Sequence, residues 1–252
     1  MALLSAASSG ESAPVLFMAE TTREQAAARR ENTGRKRLRR STVLIGLGVL
    51  LLAGALGLTL YNRWDSNRAA AASEAIAKTL EGDISTNREE KEETRDAALP
   101  QPESTAFLSM PTETVNGYAY IGILDIPSVG VHLPVMHDWD MERLKISACR
   151  YTGSYYEDDL VICGHNYAKT FSPIRWTAIG AEVTFTTVDG TVIPYKVSNI
   201  ETIQPTAVSE MVFNDNNSDS EKTWDLTLFT CNVGGQTRCA VRCIRTDGKG
   251  GA

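Results

Sequence analysis

The sequence predicts a mostly β domain, a barrel or sandwich of seven or eight short strands with few helices, preceded by one transmembrane helix. Three observations carry that prediction. Residues 42–61, TVLIGLGVLLLAGALGLTLY, hold no charged side chain across about 20 positions, the length an α-helix needs to cross a bilayer's hydrocarbon core. From Tyr118 onward, apolar and β-branched residues recur in short alternating runs bounded by turn residues. Asp189-Gly190 lies between two such runs, and that dipeptide is the strongest short hairpin signal.

The chain has 252 residues, and a net charge of −6 gives no reason to expect nucleic acid as a partner. That balance hides an asymmetry, because Arg23 to Arg40 is basic and the remainder acidic. Residues 1–41 are rich in Ala, Ser, Glu and Arg and offer no core to bury, so a disordered basic tail is expected. Residues 42–61 follow as the membrane helix. Their glycines, at 46, 48, 54 and 57, suit a membrane helix better than a soluble one, and Tyr61 and Trp64 fall where interfacial aromatics belong. The run is longer than a signal-peptide core and starts some forty residues in, which favours an uncleaved anchor. With the arginines inside, the N-terminus is cytoplasmic and everything after Trp64 lies outside the cell.

Residues 62–117 read as a charged, partly helical stalk, rich in Ala, Glu, Lys and Arg, then broken by Pro100, Pro102 and Pro111. Residues 118–246 hold the folded domain and 247–252 a flexible tail. Within the domain, strands are expected at 118–127, 129–136, 159–163, 182–188, 191–200, 224–231 and 237–245. Helical turns are expected at 140–147, 170–179 and 207–213, with a polar loop over 215–220.

Five cysteines, an odd number, leave at least one thiol unable to pair within the chain, and no C-x-x-C or Cys/His spacing suggests zinc. Cys149, Cys163, Cys239 and Cys243 read as small core residues. Cys231 differs because it ends the run Asp225 to Cys231 at the turn Asn232-Val233-Gly234-Gly235, which places a thiol at a strand tip. His165 stands at the exit of an apolar strand, between Gly164 and Asn166, whereas His132 and His137 read as surface residues. Arg238 opens the final strand, across the turn from Cys231, and alternation puts Arg238, Ala240 and Arg242 on one face. An arginine beside Cys231 favours the thiolate and offers donors to a developing oxyanion.

TLFTC, CGHNY and TRCAVR, in that order after a membrane anchor and a YIGILDIP opening strand, resemble the sortase family of Gram-positive cell-surface transpeptidases. The resemblance covers about Tyr118 to Thr246 and implies a closed eight-stranded barrel. It maps the nucleophile to Cys231, the essential histidine to His165 and the essential arginine to Arg238, with Arg242 ranked second. Thr230 and Asn166, their neighbours, are implied to touch the bound peptide. The implied substrates are the C-terminal sorting signal of a surface protein and an amine of a peptidoglycan cross-bridge or a pilin lysine. No cofactor is implied; the acidic run Glu157-Asp158-Asp159, where a calcium site of the kind some members carry would have to form, reads as a solvated loop. Residues 99–117 lack the Asp-aromatic pair of pilus-building members, and the chain closes in a polar tail rather than a second apolar helix, so class B or D is favoured over class C. Two rivals stand beside this reading. One is a different cysteine enzyme on an anchored barrel, a hydrolysing cysteine peptidase or an L,D-transpeptidase, the latter expected to place histidine and serine or glycine close before its cysteine, which TLFTC lacks. An anchored binding domain with only structural cysteines is the other.

Overall fold

The structure, a computed structural model, describes residues 13–95, 109–212 and 224–247. The chain divides after Tyr61 into two units. Helix α1 runs Ala13–Arg95, so the basic tail is helical from Ala13 rather than disordered; Ala, Glu, Gln and Arg are strong helix formers. In the first unit, Val43 to Tyr61 leaves its large apolar side chains exposed, which makes this a helix long and apolar enough to cross a membrane. Residues 1–12, the prolines at 100 and 102, the loop over 215–220 and tail residues 248–252 lie outside the described residues.

The second unit is built on nine strands: β1 (Glu113–Val115), β2 (Tyr118–Ile126), β3 (Val131–Met136), β4 (Ala148–Thr152), β5 (Leu160–Gly164), β6 (Glu182–Thr187), β7 (Val192–Ile203), β8 (Leu226–Cys231) and β9 (Arg238–Arg245). Eight close into a barrel in the order β2-β3-β4-β5-β8-β9-β7-β6, with β6 returning to pair with β2. Closure leaves no open edge except where β1 adds a short arm to β2. Seven strands follow the sequence expectation; β1, of three residues, and β4, whose run ACRYT mixes polar and apolar side chains, escaped it. The turn at Asp189-Gly190 joins β6 to β7 with Gly190 at φ 81°, a left-handed conformation that favours glycine. The expected helices at 140–147 and 170–179 shrink to single 3-10 turns, Arg143–Lys145 and Ser172–Trp176, while α2 (Val208–Val212) forms where a helix was expected.

Strand alternation fills two cores. One face of the strands packs inside the barrel, where Leu124, Ile162, Phe185, Leu228 and Val241 meet. The opposite face of β2, β4 and β5 is also covered, because α1 lies on it. Residues Ala69, Ser73, Ile76, Ala77, Leu80 and Ile84 form a buried stripe at helical spacing, and Ile76, Leu80 and Ile84 pack with Tyr120, Cys149 and Val161. Ser73 and Ser147 share a buried hydroxyl contact at 3.1 Å, and Asn87 donates to the Val188 carbonyl at 3.2 Å. The segment read as a stalk is therefore part of the domain over this stretch. Half of its stripe is alanine and serine, which let a helix approach a sheet closely but give little hydrophobic signal. Met110 and β1, also inside the supposed linker, contribute core residues.

Candidate active site

Strand register brings three ends together. β5 and β8 run parallel with Gly164 opposite Thr230, so His165, the first residue beyond β5, emerges beside Cys231, the last of β8. β8 and β9 run antiparallel with Cys231 opposite Arg238, a spacing of roughly 5 Å between Cα atoms. His165, Cys231 and Arg238 line one cavity of about 310 Å³. Its walls are apolar, from Leu144, Tyr151, Met211 and Phe229, and its rim carries the exposed side chains of Trp139, Met141 and Val208. Such a groove suits an extended peptide with apolar side chains.

The strand ends are fixed by small contacts. Buried Thr230 donates its hydroxyl to the Gly164 carbonyl at 2.8 Å, tying the tip of β8 to that of β5. A Cβ on Gly164 would meet the Phe171 ring at 2.3 Å, so only glycine lets this ring seal the barrel beneath His165. Past Cys231, Asn232 donates its backbone N–H to the Thr237 carbonyl at 2.9 Å and its side-chain amide to the Thr237 hydroxyl at 2.8 Å, closing the β8–β9 loop. The Arg238 guanidinium donates to the carbonyls of Gly235 and Thr237 at 3.0 and 3.3 Å, so it stays on the rim of the loop.

His165 is half-buried, and burial pushes its imidazole pKa below the ordinary value; the Asp65 carboxylate opposes that shift and Lys145 adds to it. Cys231 is partly exposed, whereas the other four cysteines are buried and all five are free thiols. Burial pushes the Cys149 thiol up to about 12, raises Cys239, and raises Cys163 and Cys243 further than Cys149. These four are thus protonated and shielded at neutral pH. A thiol reagent at pH 7 should therefore modify one cysteine of the native chain, Cys231, and all five after unfolding, counted by intact mass. Equal labelling of several cysteines in the native protein would contradict this.

Other residues singled out in the sequence sit elsewhere. His132 pairs with Asp125 at 2.6 Å and Glu81 at 3.2 Å, and His137 with Asp138 at 3.0 Å, all near the surface. Asn166 accepts from the Arg175 guanidinium and lines a second cavity, on the far side of His165. Asp158 pairs with Arg245 at 2.9 Å, and Asp159 accepts from the Ser154 N–H at 2.7 Å. No cluster of three or more potential metal ligands forms among the described residues.

Arg242 is the clearest correction. It is 1% exposed and donates to the Glu201 carboxylate and Thr227 hydroxyl, each at 2.7 Å, to the Met211 carbonyl at 3.2 Å and to the Glu210 carbonyl, with Trp224 stacked 4.5 Å away. It anchors α2 to the sheet and does not face the cavity. Sequence reasoning also missed Arg175, which donates to the carbonyls of Ser172 and Cys231, each at 3.1 Å, and to Asn166. It thereby ties the loop after His165 to the strand bearing the thiol. No periodicity marks it, since it lies in a 3-10 turn between loops.

The sortase-domain family model matches residues 124–246, spanning all three strand ends. This is a sortase domain. Among solved structures, the chain is similar to a Sortase D5 transpeptidase from Clostridium perfringens, at 19% identity and a TM-score of 0.51, covering 70% of this chain and 99% of that one. It is also similar to sortase A from Corynebacterium diphtheriae, with 18% identity, a TM-score of 0.43 and coverage of 77% and 96%. For sortase C-1 from Actinomyces oris the values are 19%, 0.45, 65% and 97%. No curated protein matches the chain. The sortase barrel is thus the fold on which these three residues meet.

Proposed function

We propose that this sortase is a membrane-anchored cysteine transpeptidase that cleaves the C-terminal sorting signal of a surface protein and transfers the product to an amine of the cell wall. The carrying observation is the convergence of a half-exposed thiol, a half-buried imidazole and a guanidinium on three adjacent strand ends, around one apolar groove. The Cys231 thiolate attacks the scissile carbonyl, and the oxyanion that forms takes hydrogen bonds from Arg238. His165, as imidazolium, gives its proton to the leaving amine as the C–N bond breaks, leaving an acyl thioester on Cys231. An acceptor amine loses a proton to His165 and attacks the thioester; the new amide forms and the thiolate is released. Thr230 and Asn166 flank the reacting groups, the first bracing the thiol strand, the second lining the cavity beyond His165. With the basic tail inside, helix residues 42–61 place the barrel outside the cell.

The acceptor decides whether the enzyme anchors proteins to the wall or polymerises pilins. Residues 99–117 contain no aspartate followed by an aromatic, which supports anchoring and a class B or D type. The test is to incubate the full chain in detergent with a panel of sorting-signal peptides, adding either a cross-bridge amine or a lysine peptide. An intact-mass increment on Cys231 that is discharged by one acceptor supports the reading. No increment with any peptide overturns it, and discharge by the lysine peptide alone makes the enzyme a pilin polymerase.

A further inference from the structure

The helix that carries the barrel's outer core also reaches the histidine. Tyr167, two residues past His165, stacks on the imidazole with ring centroids 4.2 Å apart and planes 24° from parallel. Its hydroxyl donates to Asp65 Oδ2 at 2.5 Å, while Arg68, one turn along α1, holds Asp65 Oδ1 at 2.9 and 3.2 Å. The carboxylate is thus fixed by one partner on each oxygen. His165 forms the partition between the groove that holds Cys231 and a second cavity of about 680 Å³, lined by Asn62, Arg63, Asp65, Asn166 and Lys169.

A stacked ring fixes the plane of an imidazole, and a fixed hydroxyl fixes the stacked ring. We propose that Asp65, acting through Tyr167, is a positioning residue for His165: docking of α1 sets the ring's plane and supplies a negative charge that favours the imidazolium. The charged and titratable groups facing His165 are Asp65 and Arg63 from α1, Lys169 from the loop after β5, Lys145 from the 3-10 turn Arg143–Lys145, and Cys231 and Arg238 across the groove. Asp65 and Lys145 act in opposite senses, and Asp65 acts more strongly. The kinetic side of this proposal rests on the transpeptidase reading. The electrostatic side does not.

The test uses the full chain in detergent with labelled histidine, whose three side chains are few enough to resolve. In Asp65→Asn, the NMR titration of His165 should move to lower pH, because the anion that favours the protonated form is gone, while an unchanged denaturant midpoint reports an intact fold. In Tyr167→Phe, which keeps the ring and removes its tie, kcat should fall roughly ten- to a hundredfold with the KM for the donor peptide unchanged. A His165 titration unmoved by Asp65→Asn overturns the electrostatic role whatever the activity. An unchanged kcat in Tyr167→Phe overturns the positioning role. Failure of the wild type to form any acyl-enzyme would instead count against the transpeptidase reading, and the titration would still decide the role of Asp65.

Discussion

Cys231→Ala should leave no acyl-enzyme and no transfer product, while His165→Ala and Arg238→Ala each lose about 10²- to 10⁴-fold in kcat/KM. In the proposed mechanism the thiol is the atom that bonds to the acyl group, so no neighbour would substitute for it. The other two would act on charge and protons in the transition state, which a water molecule replaces poorly but not infinitely so. All three side chains lie on the rim of the barrel, half-buried or less, so each variant should unfold at the denaturant concentration of the wild type. Acyl transfer followed by mass spectrometry, with unfolding curves measured in parallel, checks both halves. Residual acylation of Cys231→Ala would show that the nucleophile is another residue.

Arg242→Ala should do the opposite, destabilising the domain by about 3 kcal/mol or more. The substitution leaves the Thr227 hydroxyl, two α2 carbonyls and one side of Glu201 without the donor that satisfies them, in a site almost closed to water. It also removes the guanidinium packed on Trp224. Because α2 supplies Val208 and Met211 to the groove wall, activity should fall too, but in proportion to the folded fraction and with recovery at low temperature. Denaturant unfolding of Arg242→Ala beside Arg238→Ala separates the two arginines. A stable, inactive Arg242→Ala would return it to the reacting groups and displace Arg238.

The sequence by itself determined the mostly β class, seven of the strands and the long apolar run before them, while the closed barrel was implied by the sortase resemblance. These follow from local chemistry: alternation with a period of two, Asp-Gly at a hairpin, and an uncharged stretch as long as a bilayer is thick. The strand-end positions of Cys231, His165 and Arg238 were legible for the same reason, since each lies where an apolar run meets a turn, and the sortase resemblance implied their roles. Tertiary structure decided what each face of a strand meets. Alternation places Arg238 and Arg242 together on β9 but assumes that one face sees solvent; α2 covers the second and not the first, so one arginine is buried and the other borders the groove. The same limit hid the helix stripe from Ala69 to Ile84, whose small residues carry little hydrophobic signal until a sheet lies against them. It also hid Arg175 and Asp65, which reach Cys231 and His165 only because distant segments of the chain are packed at one end of the barrel. Contacts between residues 56 or 102 positions apart depend on how the whole sheet closes, and no local pattern encodes that closure.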